Sequence, residues 1–253
     1  MINPMDLAGK HIIVTGASSG VGRQVSLKLS KLGAKVSLIA RNEERLKETL
    51  QLVGDSDNLY YVLDVSNISE IEQAVKSIVD KNGKVDGFVH AAGIGTFKPI
   101  GMSKYEFLLE MMQIHFFSFA EFVRVLCKKR YSEDGASIVA ISSEATIFPD
   151  KGRMAYSSAK GALDASVRVM AVELGEARGF RVNTVNPGWI RTRMFEEYID
   201  EVGQEMDGDK MADLLRGAAD PNEVANIVAF LLSDEAVRIN GQNIIVDNKW
   251  AIV

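Results

Sequence analysis

The sequence predicts an α/β fold: a doubly wound parallel sheet with helices on both faces, in a single domain over residues 1–253. Short apolar runs alternate with helical patterns nearly to the C-terminus, glycines or turn formers close most of the runs, and no low-complexity linker divides the chain. Apolar strands separated by helices are the pattern of a sheet buried on both faces.

The elements follow in order. HIIVTG, from His11, reads as the first strand, and Val21 to Leu32 as the helix after it. KVSLIA, from Lys35, is followed by a helical pattern from Asn42 to Leu52. NLYYVLDV, from Asn58, leads to a helix from Ile68 to Asp80, and VDGFVHAAG, from Val85, to a long one from Lys104 to Lys128. GASIVAISS, from Gly135, precedes a helix from Tyr156 to Arg178, and FRVNTVNPG, from Phe180, is the sixth strand. Trp189 to Ala219 then break the rhythm, mixing acidic residues with Met, Phe and Tyr before Pro221. The segment reads as one or two short helices outside the sheet, a substrate lid over 189–219; its composition also suits a solvated amphipathic insertion.

Composition removes several function classes. At 253 residues with 47% hydrophobic content the chain can bury a sizeable core. A formal net charge of -5 argues against a polyanion binder, so nucleic acid is not expected as a partner, although a local basic patch can hold a phosphate. Cys127 is the sole cysteine and supplies neither an internal disulfide nor a redox pair, which favours a reducing compartment. Three scattered histidines and one cysteine make no metal site. No run reaches the roughly 20 apolar residues of a membrane span, and the expectation is a cytoplasmic protein.

The strongest local signal is HIIVTGASSGVGRQ, an apolar strand turning through Gly16, Gly20 and Gly22 into a helix. Gly16 permits the tight turn, Gly20 lets the chain approach a pyrophosphate, and Gly22 lets the helix sit close to the strand, with helix N–H groups facing the negative charge. Thr15, Ser18 and Ser19 add short polar groups. Arg23 and Gln24 follow the last glycine, where an ATP-binding P-loop would place Lys and Ser or Thr. The second strand ends at Ala40 and Arg41, not at the Asp or Glu that holds the ribose hydroxyls of NAD. Arg41 can fork onto a 2′-phosphate, with Ser18 and Asn42 as further donors; Arg41 also suits a solvated position, and Asn42 a helix cap. Asp64, beside Val65, can accept from an adenine amino group or begin a turn.

Tyr156 and Lys160 are four apart and share one helix face. A lysine beside a tyrosine favours the phenolate, and such a phenol can protonate an alkoxide as hydride reaches a carbonyl carbon. Ser143, at the end of the preceding strand, can donate to that carbonyl oxygen. Alone, a Tyr/Lys pair is a common helix-surface feature and Ser143 a common turn cap.

Taken together, these motifs make the chain resemble the classical short-chain dehydrogenase/reductase family over nearly its full length. Thr15, Gly16, Ser18, Ser19, Gly20, Val21 and Gly22 fit that family's TGxxxGxG loop, Asp64 and Val65 its adenine-contacting pair, and Ser143, Tyr156 and Lys160 its catalytic set. In NPGWIRT, Pro187, Gly188, Ile190 and Thr192 fit the strand exit that flanks the nicotinamide, and Ala92 and Gly93 are retained from its fourth-strand motif. The resemblance implies a Rossmann-type fold, a lysine contact to the nicotinamide ribose, and a homodimer or homotetramer paired through the two long helices; Arg41 in place of an acidic residue makes NADP(H) the expected cofactor. Departures stand out too. His90 and Ala91 replace two asparagines, and Asn248 and Lys249 replace a C-terminal glycine pair, with the short tail Trp250 to Val253 beyond them. His115, in MMQIHFFSFAEFV, stands where the family has an asparagine. Its imidazole suits a proton relay, while Met111, Met112, Phe119 and Phe122 at helical spacing suit a packed core histidine.

The expected function is NADPH-dependent reduction of a ketone or aldehyde, with a 3-oxoacyl thioester among the substrates considered. An NAD-dependent alcohol dehydrogenase and a catalytically weak cofactor-binding regulator are the alternatives. In the lid, Trp189, Met194, Phe195, Tyr198, Met206 and Met211 offer apolar surface; with Glu196, Glu197 and Asp200 among them an acidic substrate is not especially favoured, although Arg191 or Arg193 can turn inward.

Overall fold

The computed structural model describes residues 4–54, 57–148, 150–202 and 207–247. Seven strands, β1 (His11–Thr15), β2 (Lys35–Ala40), β3 (Leu59–Val62), β4 (Val85–His90), β5 (Ser132–Ile141), β6 (Arg181–Pro187) and β7 (Asn243–Val246), form one sheet in the order β3-β2-β1-β4-β5-β6-β7. Every pairing is parallel. The chain winds outward from β1 in one direction and from β4 in the other, so a crevice opens at the carboxyl ends of these two strands.

Alternation along each strand builds a core on either face. From β1, Ile12 and Val14 join one apolar cluster with Val25 and Leu29 of helix α1 (Gly20–Lys31) and Leu46 of α2 (Glu43–Val53). Ile13 points the other way, into a cluster with Ile78 of α3 (Ile71–Asn82), Phe88 of β4, and Leu163 and Val167 of α6 (Met154–Arg178). Each such buried side chain stabilises the fold by about 1.5–3 kcal/mol.

The predicted helix over Lys104 to Lys128 is not one regular helix. It runs as α4 (Tyr105–Met112), a five-residue π turn over Gln113–Phe117, and α5 (Ser118–Leu126). The wider turn keeps the consecutive Ile114 and His115 both buried, and Ser118 Oγ donates to the Ile114 carbonyl at 2.7 Å. In the predicted third helix, Ile68–Glu70 form a 3₁₀ turn before α3 begins.

The segment after β6 forms two helices, α7 (Arg193–Val202) and α8 (Gly208–Gly217), around a small cluster of Phe195, Leu214 and Ala218. Its two ends are tied together: Ile190 bridges Ala219, the Arg191 N–H donates to the Ala219 carbonyl at 2.9 Å, and the Ala219 N–H to the Trp189 carbonyl at 2.8 Å. Helix α9 (Pro221–Leu232) is absent from the sequence reading because it is apolar nearly all round and buries Val224, Val228 and Leu232. It starts with Pro221 and a capping box in which Asp220 and Glu223 satisfy each other's backbone N–H groups. Met206, Asn248, Lys249 and the tail Trp250 to Val253 lie outside the described residues. Among the described residues no helix is long and apolar enough to cross a membrane, and no group of three potential ligands could hold a metal ion.

Candidate active site

A cavity of about 730 Å³ opens at the carboxyl ends of the strands and runs from the first glycine turn to the base of α7. Of the site residues expected from sequence, all but Thr15 line it. Thr15 is fully buried: its Oγ1 meets His90 Nδ1 at 3.0 Å and accepts from the Ala92 N–H at 3.2 Å. It ties β1 to β4 beneath the cavity.

The glycine turn divides its labour by contact. A Cβ on Gly22 would meet the Gly16 carbonyl oxygen at 2.3 Å, and one on Gly16, at φ 68°, the Ala91 oxygen at 2.7 Å. A Cβ on Gly20 would meet only the Thr192 side chain, 3.4 Å away. Gly22 therefore lets α1 close on the turn's own backbone and Gly16 lets the turn lie against the β4 exit, while Gly20 keeps the cavity wall thin. Ser19 makes no side-chain cap to α1 and no acidic residue occupies its first turn, which leaves the positive helix end facing the cavity. Arg23 buttresses the loop from behind, donating to the Ser18 carbonyl at 2.7 Å. These features suit an anionic dinucleotide.

At the far end of β2, Arg41 lies 3.6 Å from Asp64, and Arg45 lines the same corner. Burial pushes the Asp64 carboxyl up, but hydrogen bonds from Ser66 and the charge of Arg41 outweigh it and the net direction is down. Asn42 caps α2, accepting from the Arg45 N–H at 2.9 Å.

The opposite end gathers Ser143, Tyr156, Lys160 and His115. Ser143 is buried after β5; its Oγ accepts from the Ala145 N–H at 3.2 Å, and it lines the cavity together with Tyr156. Lys160, buried one helical turn after Tyr156, donates from Nζ to the Ile141 carbonyl at 2.6 Å. Burial lowers the Lys160 pKa to about 7, against the opposing charge of Asp164. Contrary to the expectation of a phenol acidified by lysine, desolvation pushes Tyr156 up. Ser143 and Arg153 pull it down, and Glu144 adds to the rise. The physical reason is that the Lys160 ammonium is turned to a backbone oxygen and is itself desolvated.

His115 packs edge-on to the Tyr156 ring, centroids 5.4 Å apart. Its Nε2 donates to the Ile94 carbonyl at 2.9 Å, and its Nδ1 is buried without a hydrogen-bond partner among the described residues. Burial and then Lys160 hold its pKa well below the usual value, so the ring is neutral. A Cβ on Gly93 would lie 3.1 Å from His115 Nδ1 and 3.8 Å from Lys160 Nζ, so Gly93 keeps open the space between them.

Asp164 with Asn186, Phe97 and Arg153 escaped the sequence reading, whereas Trp189 and Tyr198 were expected as lid surface. Asp164 Oδ2 accepts from Asn186 Nδ2 at 2.8 Å and Asp164 Oδ1 from Thr184 at 3.2 Å, and Asn186 also reaches the Ser143 carbonyl at 3.3 Å. The signal was there, since Asp164 stands one helical turn after Lys160. Phe97, Trp189 and Tyr198 form an aromatic group at the cavity mouth, with Trp189 and Tyr198 stacked at 4.4 Å. Arg153, three residues before Tyr156, places its guanidinium 4.5 Å from the Phe97 ring and 4.4 Å from the Trp189 ring.

The family model described as enoyl-(acyl carrier protein) reductase matches residues 16–248. L-xylulose reductase of Caenorhabditis elegans is 33% identical over 251 residues, covering 97% of each chain. A 3-oxoacyl-[acyl-carrier-protein] reductase of Vibrio cholerae is 32% identical over 244 residues, covering 95% of this chain and 96% of its own. Among solved structures, a variant of actinorhodin polyketide ketoreductase with NADPH superposes with a TM-score of 0.86 at 26% identity, covering 97% of both chains. Likeness of this extent, on a parallel sheet with its cavity at the strand ends, makes the chain a member of the short-chain dehydrogenase/reductase family, whose general chemistry is NAD(P)-dependent oxidoreduction of carbonyl and alcohol groups.

Proposed function

We propose that the protein is an NADPH-dependent reductase of ketones or aldehydes, in which Tyr156 gives the proton to the carbonyl oxygen. The observation that carries this reading is the convergence of Ser143, Tyr156 and Lys160 on one wall of the cavity, with Lys160 one helical turn after Tyr156. The nicotinamide, when bound, supplies the hydride. Ser143 orients the carbonyl oxygen and Tyr156 protonates it as charge develops. A raised phenol pKa suits a proton donor at neutral pH and leaves the reverse alcohol oxidation to higher pH. Lys160 binds the nicotinamide ribose, and the open space between Lys160 and His115 Nδ1 holds the water through which the proton is replaced.

Gly16, Ser18, Ser19, Gly20, Val21 and Gly22 cradle the pyrophosphate, Arg41 and Asn42 the 2′-phosphate side, and Asp64 and Val65 the adenine. Ala92, Gly93, Pro187, Gly188, Ile190 and Thr192 flank the nicotinamide end. In the same reading, residues 189–219 close over the substrate, hinged where their ends pair. Phe117, Val169 and Val172, exposed on the π turn and α6, supply apolar surface for a homodimer or homotetramer. The carbonyl substrates in range include the classes that two relatives' names carry, a 3-oxoacyl thioester and a keto sugar.

The test is Tyr156→Phe, followed by NADPH absorbance over a panel of ketones and by calorimetric titration with NADPH. Turnover falls by about 10²–10⁴-fold while the NADPH dissociation constant changes little. Wild-type rates in the variant would remove Tyr156 from the mechanism.

A further inference from the structure

The substrate end of the cavity holds a largely buried cation whose ion-pair partner among the described residues, Asp150, lies at long range and is mostly exposed. Arg153 is largely buried, with 13% of its side chain exposed, and its Nε has no hydrogen-bond partner among the described residues. Phe97 and Trp189 flank the guanidinium. Its ion-pair partner, Asp150, is mostly exposed and 3.7 Å away, beyond hydrogen-bonding range. A guanidinium removed from water strongly favours a hydrogen-bonded anion, and its planar fork fits a carboxylate in bidentate fashion.

Other charges of this region are engaged elsewhere. Arg193 also lines the cavity but is mostly exposed and pairs with Glu197 at 2.7 Å, and Arg191 donates from Nε to the Ala218 carbonyl at 2.9 Å. Glu196, Glu197 and Asp200 are exposed and do not line the cavity. Glu144 does line it, half-buried, with Oε2 lying 3.2 Å from where a Gly188 Cβ would stand. Arg41 and Arg45 stand at the β2 end, where the glycine turn and Asp64 also lie, away from Tyr156.

We infer that Arg153 is the substrate-anion site of this enzyme, and that the substrate is an oxo acid whose carboxylate lies one or two carbons from the carbonyl. The spacing follows from the helix: Arg153 caps α6 and Tyr156 sits in its first turn. Three residues rise about 4.5 Å along a helix axis, so a guanidinium and a phenol on that turn can grip a carboxylate and a nearby carbonyl of one small molecule. The adjoining Phe97, Trp189 and Tyr198 rings supply apolar surface for the remainder of the substrate. This inference rests on the reductase reading and narrows its substrate class. It also favours acidic substrates more than the lid composition does by itself, because Glu196, Glu197 and Asp200 are exposed and do not line the cavity.

The experiment compares each oxo acid with its neutral ester: acetoacetate with methyl acetoacetate, and phenylglyoxylate with methyl phenylglyoxylate. Steady-state kcat/KM is measured with NADPH in wild type, Arg153→Met and Arg153→Lys. The acid-to-ester ratio falls by roughly 10- to 100-fold in Arg153→Met, and Arg153→Lys restores part of it. An arginine that only clasps Phe97 to Trp189 would lower both members of a pair together, and an unchanged ratio overturns the inference while the reductase reading stands. Should no ketone turn over, the reductase reading falls. Calorimetric titration of the NADP-loaded protein with mandelate and with mandelamide then decides the inference by itself. Saturable mandelate binding, lost in Arg153→Met and absent for the amide, supports it; equal binding in both proteins, or none, overturns it.

Discussion

His90 shows how a single residue couples sequence, packing and pH. It is fully buried, with Nδ1 on Thr15 Oγ1 at 3.0 Å and Nε2 facing Ser118 Oγ at 3.4 Å. Desolvation first, then the charge of Lys160, lowers its pKa to about 3. His11 and His115 are buried and lowered in the same direction, chiefly by desolvation. Such groups bind protons in the unfolded chain before they do so in the folded one. Stability is therefore unaffected above pH 6.5 and is lost as pH falls from 6.5 toward the folded values, by up to about 1.4 kcal/mol per pH unit for each histidine. Asparagine cannot titrate there, so His90→Asn reduces the loss between pH 7 and pH 4.5. Urea midpoints at the two pH values check it, and an unchanged difference would contradict this account. Lys160 carries the opposite end of the same argument: its lowered pKa means that the folded state holds the charged form at a cost below about pH 7, relieved as pH rises toward 10.5. Lys160→Met then raises the melting temperature at pH 6 even as it removes a group of the proposed mechanism.

Between residue and fold, two glycines on helices separate close approach from empty space. Gly22 in α1 stands against the β1 exit, where a Cβ would meet backbone atoms at 2.3 and 2.6 Å. Neither partner is a flexible side chain, so Gly22→Ala forces α1 away from the strand and costs about 1–3 kcal/mol. Gly161 in α6 has nothing within 4 Å of its would-be Cβ, and Gly161→Ala stabilises by about 0.5–1 kcal/mol through helix propensity. Thermal melts of the two variants move in opposite directions; a shared sign would undo the distinction. The same scale explains the long helix between β4 and β5. Its apolar spacing was legible from Lys104 onward, yet the π turn that buries Ile114 beside His115 was not, because a one-residue widening leaves no mark in hydrophobic period and is settled by what packs against it.

Across the whole molecule, the cavity draws on loops after six strands, from both halves of the sheet, so a dinucleotide spanning it ties the halves together. Binding to the folded state alone stabilises by about 2.7 kcal/mol when the ligand is present at 100 times its dissociation constant. At equal concentrations NADPH raises the melting temperature more than NADH does, and Arg41→Ala erases the difference; a larger NADH shift in wild type would assign Arg41 to solvent. Much of this architecture was legible in the chain. Alternating runs marked six of the seven strands within a few residues, the glycine turn marked the crevice, and Tyr156 and Lys160 shared a face by spacing alone. Helix α9 escaped because a segment buried nearly all round shows little periodicity. The sequence by itself determined the parallel sheet and the family, since those rest on local patterns and on motifs read along the chain. Only the tertiary structure decided that Lys160 turns to Ile141, that Asp164 reaches the Ser143 strand exit through Asn186, and that Arg153 lies between Phe97 and Trp189. Those contacts join residues far apart in sequence, and their directions are set by burial and by which polar partners remain once the core has closed.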